Sequence, residues 1–223
     1  MCEADIETNS VLQNMLMGAR PDYGWLSEES EDNQQRLECR RIWVVDPIDG
    51  TNSYLKGLPE FAVSVALIED GVALMGAVFN PARDELFEAV KGGGARLNDN
   101  IISVSACADL AQMKILASRS EHSEAGWPER FHADNVYAMS SIAYKLALVS
   151  DGRFDAAASA WPKADWDICA GCLLVNEAGG ITSSIAGNQL IFNRERPLHP
   201  TCLASNGHLH DVLMEELGDW AEK

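Results

Sequence analysis

Asp46 and Asp49 stand three residues apart in the run Trp43-Val44-Val45-Asp46-Pro47-Ile48-Asp49-Gly50-Thr51, at the end of an apolar stretch that reads as a strand. Pro47 fixes its own φ at about −65° and biases Asp46 toward extended geometry, while Gly50 tolerates backbone conformations that a side chain would resist. The chain must therefore turn sharply, with two carboxylates, a backbone carbonyl and a hydroxyl on one turn. Such oxygen donors suit Mg²⁺, which binds through a few carboxylates together with substrate phosphate and water. The same residues also make an ordinary acidic turn, because Asp, Pro and Gly are common turn formers.

Two other blocks weigh on that choice. Upstream stands Trp25-Leu26-Ser27-Glu28-Glu29-Ser30; downstream, Trp166-Asp167-Ile168-Cys169-Ala170-Gly171 is followed by Glu177-Ala178-Gly179-Gly180. In residues, order and separation, the three blocks resemble the inositol monophosphatase family of metal-dependent, lithium-sensitive phosphatases, and the resemblance runs from about Asp5 onward. It implies a layered α/β fold, the five-layer αβαβα sandwich. It also implies hydrolysis of a small-molecule phosphate monoester by water, with two Mg²⁺ ions and no phosphoenzyme.

By the same resemblance, Glu28 and Asp46 with the Ile48 carbonyl hold one ion, and Asp46, Asp49 and Asp167 the other. Thr51, hydrogen-bonded near Glu28, orients the attacking water, so Glu28, Asp46 and Thr51 form the catalytic set. Four carboxylates in one cleft would repel one another unless cations sat between them. Gly50 and Thr51 lie where a helix is expected to begin, so their free N–H groups are placed to cradle phosphate oxygens. Asp5 matches a residue associated with a third ion, and reads equally well as a first-turn helix aspartate.

The substrate divides into two classes. The acidic residue that contacts inositol hydroxyls a few positions before the Trp-Asp pair has no match in Ala160-Trp161-Pro162-Lys163-Ala164-Asp165, where a lysine stands and the acid abuts Trp166. Lys145 resembles a lysine of the 3'(2'),5'-bisphosphate nucleotidases, and a lysine offsets a second phosphate as a point charge. Lys145 and Lys163 thus lean toward a substrate such as 3'-phosphoadenosine 5'-phosphate, with inositol 1-phosphate the near-even alternative and plain surface charge the simplest reading of both lysines. A non-catalytic regulatory protein on the same fold is a third reading, although no metal carboxylate is missing.

Composition fits a globular enzyme: 223 residues, 47% hydrophobic and 23% charged. The net charge of −17 disfavours a nucleic-acid polymer or an anionic membrane as partner. Six scattered cysteines suit reduced thiols in a cytoplasm better than a disulfide scaffold. Cys169 and Cys172, with redox spacing, read as helix packing residues, and His208 and His210 as solvated. There is no signal-peptide pattern or membrane-length apolar run. A homodimer is compatible with all of this.

The elements that must position these residues are legible in outline. Ala4 to Met17 reads as an amphipathic helix, and the chain begins late against the family pattern, with an N-terminal helix missing. Glu29 to Arg41, polar and aperiodic, reads as a mobile loop beside the site. Runs at Ala62–Ile68, Val72–Phe79 and Glu85–Ala89 alternate as strands of an antiparallel meander. Lys91-Gly92-Gly93-Gly94 reads as a turn before a short strand. Then strand and helix alternate: a strand at Lys114–Ser118, a helix at Ile142–Ser150, a strand at Phe154–Ala158 and a helix at Asp167–Ala178. The expected organisation is a metal-motif half, 1–105, and an α/β half, 106–223, forming one unit around a shared site.

Overall fold

A computed structural model describes residues 2–124 and 127–220. The chain opens with α1 (Glu3–Ala19), followed by β1 (Gly24–Ser27), β2 (Arg41–Asp49) and the one-turn α2 (Thr51–Leu55). The alternating runs then form β3 (Ala62–Glu69), β4 (Val72–Asn80), β5 (Glu85–Val90), β6 (Ala95–Leu97) and β7 (Asn100–Ile102). These strands make one sheet in sequential order, with β1 and β2 parallel and every later pair antiparallel.

The second half supplies β8 (Ile115–Ser118), α3 (Arg119–Glu124), α4 (Trp127–Arg130), β9 (Val136–Met139), α5 (Ile142–Ser150), β10 (Ala156–Ser159), β11 (Lys163–Ala164) and α6 (Asp165–Glu177). It closes with β12 (Ile181–Ser183), β13 (Leu198–His199), β14 (Cys202–Ser205) and α7 (His210–Glu216). A five-stranded sheet forms in the order β12-β14-β10-β8-β9, and β11 pairs with β13 separately.

Helices α5 and α6 lie between the two sheets. Every residue of α5 is buried, as expected for a helix apolar all round. The core joins Val78 and Phe87 of the first sheet to Leu146, Leu174, Ala157 and Ala204. A second core on the far face of the five-stranded sheet packs Trp127, Leu213 and Trp220 against Ile115, Ala156 and Leu203. With α1 against β1 and β2, the layers read α-β-α-β-α, as the sequence implies. Among the described residues, no helix is long and apolar enough to cross a membrane.

Two expectations need correction. The segment between β1 and β2 is anchored: it contains a 3₁₀ turn at Gln34–Glu38 whose Arg36 is 2% exposed. The Arg36 guanidinium pairs with Asp32 at 2.7 Å and donates to Asn193 and the Arg194 carbonyl, so an arginine fork replaces an apolar anchor that periodicity would have revealed. His210 is likewise buried, its ring 2.9 Å from both Ser183 and Ser205 hydroxyls. The expected Lys91–Gly94 turn does form, with Glu177 accepting from the Gly92 and Gly94 N–H groups. Cys169 and Cys172 are buried free thiols on α6.

The α5–α6 contact is close because Gly171 has no side chain: a Cβ there would lie 2.6 Å from the Leu146 Cβ. Gly171→Val should cost about 1–3 kcal/mol by overpacking, lowering Tm by roughly 2–12 °C at about 2–4 °C per kcal/mol. Gly18→Ala is the control. It adds a methyl in α1 with nothing within 4 Å and should raise Tm slightly through helix propensity. Differential scanning calorimetry of the two variants checks the contrast, and an unchanged Tm for Gly171→Val would contradict the packing.

Candidate metal centre and active site

Residues 46 and 49 would face opposite sides of a regular strand, since side chains alternate with period two. Strand β2 resolves this with a bulge. Asp46 pairs with Ser64 and Asp49 with Ala62, so three steps on β2 match two on β3. The extra residue re-aims the strand and brings both carboxylates to one cleft. Pro47, which has no ladder N–H to lose, sits within the irregularity, and the Asp46 carboxylate accepts from the Ile48 N–H at 3.0 Å. Gly50 then leaves the strand at φ +93°, where a Cβ would stand 2.8 Å from the Glu60 carbonyl. No other residue type fits that turn without displacing backbone.

The third carboxylate arrives from α6. Asp167 is the third residue of that helix, and its Oδ2 accepts from the Ala164 N–H at 2.8 Å. The helix begins two residues earlier than expected. Ligand oxygens of Asp46, Asp49 and Asp167 all lie within 4.8 Å of one another. Glu28, entering from the end of β1, lines the same cleft, whose volume is about 600 Å³.

Burial and mutual repulsion dominate the electrostatics. Asp46 is 1% exposed, and burial, reinforced by Asp49, Glu28 and Asp167, pushes its carboxyl well above the usual range. Burial followed by repulsion from Asp49 pushes Asp167 up to about 7. Glu28 is raised by burial, Asp49 and Glu29, with Asp46 offsetting part of the shift. Asp49 is raised by burial despite the Ser141 hydroxyl and Ala143 N–H, each 2.6 Å from its Oδ2. Ionised carboxylates are acceptors only. A divalent cation is the partner such a set fits, because it relieves the repulsion and uses hard oxygen donors.

The other residues singled out from the sequence fall in different places. The Thr51 hydroxyl donates to the Ile48 carbonyl at 3.1 Å and reaches Asp5 Oδ1 at 3.4 Å; its described hydrogen bonds go there rather than to Glu28. Asp5 also caps the start of α1, accepting from the Cys2 N–H at 2.8 Å. Gly50 and Thr51 line the cleft at the start of α2, and Lys163 lines it too. Lys145 does not. It is fully buried, its ammonium donating to the Ser118 hydroxyl at 2.7 Å, and burial lowers its pKa to about 8. Ser118 stands at the cleft in its place, so the sequence expectation of Lys145 touching a second phosphate is corrected by its position beneath the wall.

Ser141 escaped the sequence reading although it orients Asp49. Its hydroxyl accepts from the Tyr144 N–H at 3.0 Å as the cap of α5 while donating to Asp49. The signal was present, since Ser140-Ser141 precedes an apolar helix in the pattern of an N-cap.

Known proteins share this fold. The family model described as the inositol monophosphatase family matches residues 1–220. The inositol-1-monophosphatase of Rhizobium meliloti is 36% identical over 225 residues, covering 96% of this chain and 80% of that protein. The Nus factor SuhB of Xylella fastidiosa is 38% identical over 193 residues, covering 83% and 69%. Among solved structures, the IMPase of Thermotoga maritima superposes with a TM-score of 0.87 at 30% identity, covering 100% of this chain and 84% of that one. The extragenic suppressor protein suhB of Bartonella henselae gives 0.85 at 33%, covering 96% and 83%. With its acidic cluster and layered sandwich, the chain belongs to the inositol monophosphatase family of metal-dependent phosphoric monoester hydrolases.

Proposed function

We propose that the protein hydrolyses a small-molecule phosphate monoester with Mg²⁺ held by Asp46, Asp49, Asp167, Glu28 and the Ile48 carbonyl. The observation carrying this reading is the convergence of three carboxylates, Asp46 buried and Asp167 partly so, with ligand oxygens within 4.8 Å of one another, which is costly unless cations bind there. When bound, Mg²⁺ supplies charge neutralisation to the phosphoryl group and acidifies the attacking water. The protein's own groups do the rest. Glu28, Gly50 and Thr51 line the cleft: the Glu28 carboxylate and the Thr51 oxygen, whose own proton goes to the Ile48 carbonyl, would accept from the attacking water, and the N–H groups of Gly50 and Thr51 would meet phosphate oxygens. Asp49 is kept from swinging by Ser141 and Ala143, and Asp167 by the Ala164 N–H.

For the organic part of the substrate, Lys163 in the cleft favours a second anionic group, as in 3'-phosphoadenosine 5'-phosphate. Asp165, the acid nearest the polyol-contact position, is fully buried against His199 at 2.8 Å and the Asn193 N–H at 2.6 Å. It offers nothing to a sugar hydroxyl. The names of the relatives favour the second reading, inositol 1-phosphate. Phosphate release from both compounds, with fructose 1,6-bisphosphate and histidinol phosphate beside them, decides: a higher kcat/KM for the nucleotide supports the first, and a higher value for inositol 1-phosphate overturns it. Lys163→Met should raise KM for the bisphosphate by several-fold to about a hundredfold, the range of an exposed ion pair up to a charge-assisted hydrogen bond. Millimolar Li⁺ should inhibit, and activity persisting in a strong chelator would remove the metal mechanism.

Asp46→Asn should reduce kcat by about a hundredfold or more, about 2.7 kcal/mol on the barrier. The same change should raise the Tm of the metal-free protein at neutral pH, because it removes a carboxyl whose ionisation burial and its neighbours oppose. Retention of more than a tenth of wild-type activity would count against the site.

The acidic cluster also sets a pH dependence. Its folded pKa values are raised, so its stabilising contribution is full below the ordinary aspartate range and is lost as pH climbs through the folded values, about 7 for Asp167. A divalent ion binds the deprotonated set. The rise in Tm on adding Mg²⁺ should therefore grow from about pH 5 to about pH 8, reaching roughly 5–10 °C at a hundred times Kd. A shift independent of pH would contradict the assignment.

A further inference from the structure

Glu121 is a carboxylate that the mechanism above does not use. It is fully buried on α3, behind the cleft wall formed by Ser118, Ser120 and Lys163. Its Oε1 accepts from the Ser159 hydroxyl at 2.6 Å and lies 3.5 Å from the Lys163 ammonium, and its Oε2 accepts from the Ala160 N–H at 2.8 Å. These three partners lie on the segment from the end of β10 to β11, which leads directly into α6 and Asp167, and the buried Lys145 ammonium faces the same carboxylate as a second positive charge. A buried carboxylate is retained at such a cost only with strong pairing.

Lys163 needs that partner. It lines the cleft with Asp49 and Asp167 and lowers the pKa of both. A flexible ammonium beside three mutually repelling carboxylates is a ready counter-ion for them. If it swung onto them it would occupy the charge that a divalent ion must meet. Strand β11, paired through Lys163 with His199 of β13, fixes only the backbone; the tip of the side chain meets Glu121 Oε1 and the Pro162 carbonyl, each at 3.5 Å, and of these only Glu121 carries charge.

We propose that Glu121 is a positioning residue and the counter-ion of Lys163, holding its ammonium at the cleft wall and off Asp49 and Asp167, so that these stay free for a divalent cation. This rests on the reading of the carboxylates as a metal centre.

The test measures the half-saturating Mg²⁺ concentration from the rise in Tm, with no substrate present, in wild type, Glu121→Gln, Lys163→Met and the double variant. Glu121→Gln keeps the shape of the side chain while removing its charge. It should raise the half-saturating concentration about tenfold, the scale of one close charge competing for the same oxygens. Lys163→Met should change it by less than about threefold, and the double variant should match Lys163→Met, because without the ammonium nothing is left to restrain. A double variant as impaired as Glu121→Gln would overturn the proposal by making Glu121 a merely structural support of the segment. An unchanged value in Glu121→Gln would overturn it as well. Should Glu121→Gln not fold, Lys163→Met decides alone: tightening of Mg²⁺ by tenfold or more would show the ammonium already sitting on the carboxylates, against the proposal. A wild type without any Mg²⁺ response would overturn the metal reading itself, a result distinguishable from all of these.

Discussion

Repulsion among closely spaced carboxylates is the constraint on which the rest of the site depends. Asp46, Asp49 and Asp167 are brought within 4.8 Å of one another, and burial adds to the cost of ionising each. Left to themselves the groups would protonate or move apart. The surrounding structure prevents the second response. The bulge in β2 fixes Asp46 and Asp49, the start of α5 grips Asp49 through Ser141 and Ala143, and the start of α6 grips Asp167 through Ala164. The protein therefore stores an unfavourable arrangement that a divalent cation relieves, a form of preorganisation in which folding energy supplies the geometry.

The sandwich explains how that arrangement is afforded. Helices α5 and α6 are buried between two sheets and locked against each other at Gly171 and Leu146, so their N-terminal ends have little freedom to retreat from the cluster. One helix begins at Ser141's cap and the other at Ala164, and both ends point N–H groups toward carboxylates. This suits the positive end of the helix dipole. A weak packing contact between α5 and α6 would loosen two of the three carboxylates at once.

Much of this was legible in the chain. The three meander strands and α5 follow from alternation and helix period, and the pairing of Asp46 with Asp49 on one turn from the Asp46–Thr51 run, since local patterns specify local structure; Glu28 and Asp167 entered only through the resemblance to the family. What escaped depends on contacts distant in sequence. Arg36 is anchored by carbonyls more than 150 residues away, so its segment reads as an unstructured loop. Lys145 carries a charge that suggests exposure, yet α5 is enclosed on all sides and the Ser118 hydroxyl oxygen accepts a hydrogen bond from the ammonium. Glu121 and Lys163 meet across 42 residues, a pairing that no spacing rule announces. The bulge itself was only half visible: Pro47 and Gly50 signalled a turn, but the pairing of Asp49 with Ala62 that turns both acids to one side is a property of the neighbouring strand.

The most direct measurement is anomalous diffraction from crystals soaked in Mn²⁺, a scatterer with the ligand preferences of Mg²⁺. Strong anomalous density is expected at the point where the oxygens of Asp46, Asp49 and Asp167 converge, with Ser141 still bonded to Asp49. No density at that point, or carboxylates fanned apart without an ion between them, would contradict the assignment of this cluster as the metal centre.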